Sequence, residues 1–145
     1  MVGRDFLVFQ GEPAVTVRKL ARLVRPGGII AFLEQELAYG QHCELKGAAL
    51  RTAVDWLQKA DRDAGKQLHV VSGFPRIFLE AGLGWPEVWA YQSAWGGEEG
   101  RQIWTQGMEA MATWSDPSER QGWDECAGGT WMMPPRAGAW ARVRM

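Results

Sequence analysis

The chain has 145 residues, enough for one hydrophobic core but short for a doubly wound enzyme with an added substrate lid. A formal charge of −1 gives no electrostatic reason for a nucleic-acid or acidic-membrane partner, and no apolar run approaches the length needed to span a bilayer. With no secretory pattern at its start, the chain reads as a soluble, cytoplasmic protein. Cys43 and Cys126 lack metal-ligand spacing and are read as ordinary thiols, so no metal is expected.

Val2 to Phe9 predicts a strand, with Phe6, Leu7, Val8 and Phe9 giving it the continuous apolarity of a strand covered on both faces. Gln10-Gly11-Glu12-Pro13 turns the chain into a helix, because proline's fixed φ and missing donor are tolerated in a first turn. Val17, Leu20, Ala21 and Val24 recur at helical spacing, with Arg18, Lys19 and Arg22 on the polar side. Arg25-Pro26-Gly27-Gly28 stops this helix, and Ile29 to Leu33 predicts an internal parallel strand. Strand, helix and strand in this order predict a right-handed βαβ unit.

A second helix is predicted from about Leu45 to Ala60, extending toward Asp61-Arg62-Asp63, with Leu50, Ala53, Val54, Leu57 and Ala60 as its packing stripe and Trp56 beside it. Ser72-Gly73-Phe74-Pro75 opens a short helix that buries Phe74, Ile77, Phe78 and Ala81 and stops at Gly82. Glu87 to Trp95 alternates as a strand, and Glu99 to Trp114 reads as a helix with Ile103, Trp104, Met108, Met111 and Ala112 on its apolar surface. Trp131-Met132-Met133 starts a strand that Pro134-Pro135 interrupts. Ala137 to Arg144 has period two, with small residues on one face, and predicts a final antiparallel strand.

In this order the segments resemble a class I S-adenosylmethionine-dependent methyltransferase, especially the carboxyl-terminal part of bacterial and fungal small-molecule methyltransferases. The resemblance is carried by Val2-Gly3-Arg4, by Leu20 to Gly28 with the strand ending in Phe32-Leu33-Glu34, by Phe78-Leu79-Glu80-Ala81-Gly82-Leu83, and by Gly138-Ala139-Trp140-Ala141-Arg142. It implies an α/β protein with a truncated Rossmann-like methyltransferase fold, mostly parallel, ending in an antiparallel hairpin. The early segments correspond to that fold's fourth and fifth strands. Residues 1–145 then form a partial methyltransferase-like domain, with residues 35–73 and 96–130 as helical or lid insertions over the substrate region.

The resemblance also implies a glycine-rich turn for the cofactor's methionine portion and an acid for its ribose, and neither precedes Val2 in this sequence. The expectation is a chain whose first strand is an apolar edge, and which associates with a second copy or a methyltransferase-like partner to complete the site. The functional expectation is methyl transfer from S-adenosylmethionine to a small organic acceptor in biosynthesis. The alternative is a non-catalytic scaffold or stabilising partner of a methyltransferase-like protein, and an incomplete form of an ordinary enzyme is a third reading.

Candidate site residues follow the matched strands, since open α/β sheets bind ligands at strand carboxyl ends. Phe9 and Gln10 are candidates for the cofactor side, against packing and turn formation. Glu34, followed by Gln35 and Glu36, is a candidate base or acceptor-orienting group, against a water-exposed loop carboxylate. His42 is the second catalytic candidate, against a solvent-facing or helix-capping role. His69 has the weaker case of the two histidines, because it lies before the Phe74 helix and away from any motif. Trp56, Trp95 and Trp104 are candidates for surrounding an aromatic or apolar acceptor, against helical and strand packing, which explains them without a substrate and is the favoured reading.

Overall fold

A computed structural model describes residues 1–38, 48–92, 94–95, 98–99, 102, 106, 131–132 and 135–144. Among them the chain is an α/β protein built on a four-stranded mixed sheet: β1 (Val2–Arg4), β2 (Ile29–Gln35), β3 (Glu87–Tyr91) and β6 (Arg136–Arg142), ordered β1-β2-β6-β3. β4 (Ala94–Trp95) and β5 (Trp131–Met132) form a separate two-stranded antiparallel sheet. The helices are α1 (Pro13–Ala21), α2 (Ala48–Asp63) and α3 (Phe74–Glu80). The predicted helix over Glu99–Trp114 falls mainly outside the described residues.

β1 and β2 pair in parallel, and β6 pairs antiparallel with both β2 and β3. Only one pairing of the three is therefore parallel, where a mostly parallel sheet was expected. In direction, however, β1, β2 and β3 run one way and β6 alone runs the other. β1 and β3 are the sheet's edges among the described residues.

The expected strand over Val2–Phe9 stops at Arg4. Asp5 takes a positive φ of 46°, a backbone region that Asp tolerates better than most residues, and Leu7–Phe9 forms a 3₁₀ turn. Leu7 and Val8 are buried as their apolarity demands, but in a turn. The predicted strand over Glu87–Trp95 likewise divides, with β3 pairing to β6 and β4 to β5.

Burial follows strand parity. Ile30, Phe32 and Glu34 of β2 face the same side as Ala137, Ala139 and Ala141 of β6, and all six are buried. The small alanines leave room for α1 and α3, whose Val17, Phe74, Ile77 and Phe78 complete that core. Phe78 packs edge-on against both Phe32 and Phe74, each at 6.2 Å between ring centroids. Burial of each such side chain contributes on the order of 1.5–3 kcal/mol. Arg18 of α1 also donates to the Glu80 carbonyl at the end of α3.

The opposite face of the sheet is more open. Val2 is 81% exposed and Trp89 52% exposed, with Ile29 and Tyr91 also exposed. Trp89 stacks on Tyr91 and lies across Gly138, where a Cβ would fall 2.5 Å from the indole Cε2. Gly27, with φ 76°, turns the chain into β2; its N–H donates to the Val143 carbonyl at 2.8 Å, and the Val143 N–H donates to the Gly28 carbonyl at 2.9 Å. The Arg25-Pro26-Gly27-Gly28 turn is thereby fastened to the end of β6.

Candidate functional site

The carboxyl ends of β1 and β2 bring together two groups of side chains. The first is centred on Glu34, which has 0% exposure. Its Oε1 accepts N–H bonds from Phe6 at 3.1 Å and Leu7 at 3.0 Å; its Oε2 accepts from Phe6 at 3.1 Å and Val8 at 3.4 Å. Three successive amides of the 3₁₀ turn are thus satisfied by one carboxylate 26 to 28 residues away. Desolvation raises the Glu34 pKa above the ordinary carboxylate range, and the amide bonds oppose that rise in part; the nearby Asp5 charge adds to it.

This overturns the picture of Glu34 as a water-exposed loop carboxylate. Its parity with Ile30 and Phe32 turns it into the core, and its acceptor capacity is spent on backbone. The same turn is held from outside by Arg136 of β6, whose Nη1 lies 2.9 Å from Asp5 Oδ1.

Gln10 closes the turn from its far side. Its Nε2 donates to the Phe6 carbonyl at 3.4 Å, and its Oε1 accepts from Thr16 Oγ1 at 3.3 Å. Phe9 is exposed, with Lys66 Nζ 5.6 Å from its ring centroid. Lys66 also pairs with Asp61 of α2 at 2.5 Å, and the Gln67 N–H donates to the Val8 carbonyl at 2.7 Å. The carboxyl end of α2 is therefore joined to the turn that Glu34 holds.

The second group surrounds Glu36, the residue after β2. The Ser72 N–H donates to Glu36 Oε2 at 2.9 Å, the Ser72 hydroxyl donates to Oε1 at 3.3 Å, and His69 Nδ1 lies 3.4 Å from that same Oε1. The Ala38 N–H donates to the Leu68 carbonyl at 3.0 Å, fixing the His69 segment beside the end of β2. Sequence reasoning ranked His69 below His42 and gave Ser72 no role in chemistry. No local spacing could have linked residues 36, 69 and 72; only the return of the chain after α2 does so.

Of the remaining candidates, Trp56 is buried in α2. Trp95 lies in β4, in register with Trp131. His42 and Trp104 lie outside the described residues. As candidates for holding S-adenosylmethionine, Phe9 offers only an exposed ring, Gln10 is already engaged at both ends of its amide, and Glu34 is enclosed. The two cofactor-side candidates do not by themselves make the ribose and methionine contacts that the resemblance implies.

An open cavity of about 380 Å³ lies at the other end of the sheet, lined by Met1, Val24, Arg25, Gly27, Gly28, Ile29 and Arg142. Its lining is aliphatic and cationic, without a carboxylate or imidazole to take a proton. Among the described residues, no group of three or more His, Cys, Asp or Glu side chains could hold a metal ion. No described helix is long and apolar enough to cross a membrane. No family model matches the chain, and no curated protein matches it in sequence.

Proposed function

We propose that the chain is a methyltransferase-like unit that acts in the cytoplasm on a small organic acceptor in biosynthesis, using S-adenosylmethionine within an assembly. The observation that carries this reading is the strand order β1-β2-β6-β3, with a parallel pair followed by one antiparallel strand lying between β2 and β3. That is the arrangement expected if β1 and β2 correspond to the fourth and fifth strands of a class I methyltransferase and β3 and β6 to its terminal hairpin. The gathering of Glu36, His69 and Phe9 at the carboxyl ends of β1 and β2 agrees with it, since open α/β sheets bind ligands there. Completion of the cofactor site by a second copy or a methyltransferase-like partner is supported by the apolar side chains exposed on the open sheet face.

The competing reading is a non-catalytic partner of such an enzyme. It is favoured by the commitment of Glu34 and Gln10 to holding a turn. Calorimetric titration of S-adenosylmethionine into the chain, alone and in the presence of candidate partners, separates the two. Saturable binding in either form supports the enzyme; absence of binding in every folded assembly leaves the scaffold.

A further inference from the structure

We propose that the cavity at the amino end of β2 binds a small organic carboxylate with an aliphatic body, held by Arg25 and Arg142 against an apolar wall of Val24 and Ile29. This site lies at the opposite end of β2 from Glu34 and Glu36, and it does not rest on the methyl-transfer reading.

Backbone contacts build the cavity. The Gly27 N–H donates to the Val143 carbonyl at 2.8 Å, and the Val143 N–H donates to the Gly28 carbonyl at 2.9 Å. Arg142 Nη1 donates to the Gly27 carbonyl at 3.2 Å. These bonds tie the turn after α1 to the end of β6, which brings two arginines that are distant in sequence to one cavity. Gly28 permits the close approach: a Cβ there would fall 2.6 Å from Val24 Cγ1 and 2.8 Å from the Arg25 carbonyl oxygen.

Charge selects the ligand. Neither Arg25 nor Arg142 has an ion-pair partner among the described residues, and the lining contains no carboxylate. A guanidinium carries several N–H donors in a planar fork, and the bond to Gly27 leaves most of those on Arg142 available. That fork matches the two oxygens of a carboxylate.

The wall selects the rest of the molecule. Ile29 is the register partner of Arg142 on the open face of the sheet, and it is 41% exposed. An aliphatic side chain therefore stands uncovered beside a guanidinium. An exposed ion pair contributes little by itself, whereas a hydrocarbon body laid over Val24 and Ile29 also removes apolar surface from water. At about 380 Å³, the cavity lies in the size range of small-ligand clefts.

The test titrates hexanoate into the folded full-length chain, with no methyl donor, and follows backbone nitrogen–proton spectra. Saturable shifts are expected at Gly28, Ile29, Arg142 and Val143. Acetate, which lacks the body, and hexanol, which lacks the charge, are each expected to bind about tenfold more weakly. Arg25→Gln and Arg142→Gln are each expected to weaken hexanoate binding about fivefold. Arg76→Gln, in the exposed Arg76–Glu80 pair of α3, is expected to leave it unchanged. The Arg25 side chain makes no hydrogen bond among the described residues, so its variant removes the charge without loosening the turn. Absence of saturable shifts, shifts confined to other parts of the chain, acetate or hexanol binding as tightly as hexanoate, undiminished binding in either cavity variant, or an equal loss in Arg76→Gln overturns the proposal.

Discussion

The Glu34 carboxylate accepts the Leu7 backbone N–H at 3.0 Å, and with it the amides of Phe6 and Val8. A side chain at the end of one central strand thus sets the backbone that leaves its neighbour. Replacement by glutamine keeps the volume but exchanges one acceptor oxygen for a donor that faces N–H groups. Glu34→Gln is expected to destabilise the fold at neutral pH by about 1–3 kcal/mol, the range for leaving buried donors unsatisfied. Urea unfolding measures this, and amide exchange should show the greatest loss of protection at Phe6, Leu7 and Val8. Unchanged protection at those amides would contradict the clamp.

The raised Glu34 pKa fixes the sign of a pH dependence. A carboxyl whose folded pKa lies above its unfolded value contributes stability that is fully present below the unfolded pKa. That contribution is lost as pH rises through the folded value. The stability of the wild type relative to Glu34→Gln should therefore fall as pH rises above the ordinary carboxylate range. Urea midpoints for both proteins across that window test it; a difference independent of pH, or one that grows as pH rises, would show that the three amides outweigh desolvation.

Gly138 is the point on β6 over which Trp89 lies, with a Cβ position only 2.5 Å from the indole. Gly138→Val should expel Trp89 from the strand surface and cost about 1–3 kcal/mol, as overpacking does. Loss of the Trp89–Tyr91 stack is the specific signature, visible as a change in near-ultraviolet circular dichroism. Gly138→Val with Trp89→Ala should recover part of the stability, which a purely backbone effect would not permit.

Phe78 makes edge-on contacts with Phe32 of the sheet and Phe74 of its own helix. Phe78→Ala should cost about 3–5 kcal/mol, the range for removing a buried aromatic side chain. Thermal unfolding provides the measurement. A loss below about 1 kcal/mol would mean that α3 is not docked on the sheet in solution.

The elements whose periodicity is set locally were readable from the chain. The period-two run Ala137 to Arg144 set its small residues on one face, which the fold buries, and Phe74, Ile77 and Phe78 marked the buried side of α3. Glu34 was not readable as buried, because the predicted strand ends before it; the structure carries β2 on to Gln35, and parity with Ile30 and Phe32 turns Glu34 into the core. The 3₁₀ turn was not readable either, since the apolar run Phe6–Phe9 reports burial without reporting conformation, and the carboxylate that shapes it arrives from a different strand. The Glu36–His69 contact was not readable for a related reason: the two residues lie on either side of an intervening helix, so no motif spacing could reveal it.

The central position of β6 also bears on how the chain acquires its structure. Gln35 must find Arg136, and Ile29 must find Arg142, so the inner edge of β2 stays unpaired until the segment that carries β6 is available. Until then that edge lacks its partner, and the pairing closes a long loop at an entropic cost. The order of strands in the sheet thus makes β2 depend on β6, a segment far along the chain, to complete the pairing that β1 begins.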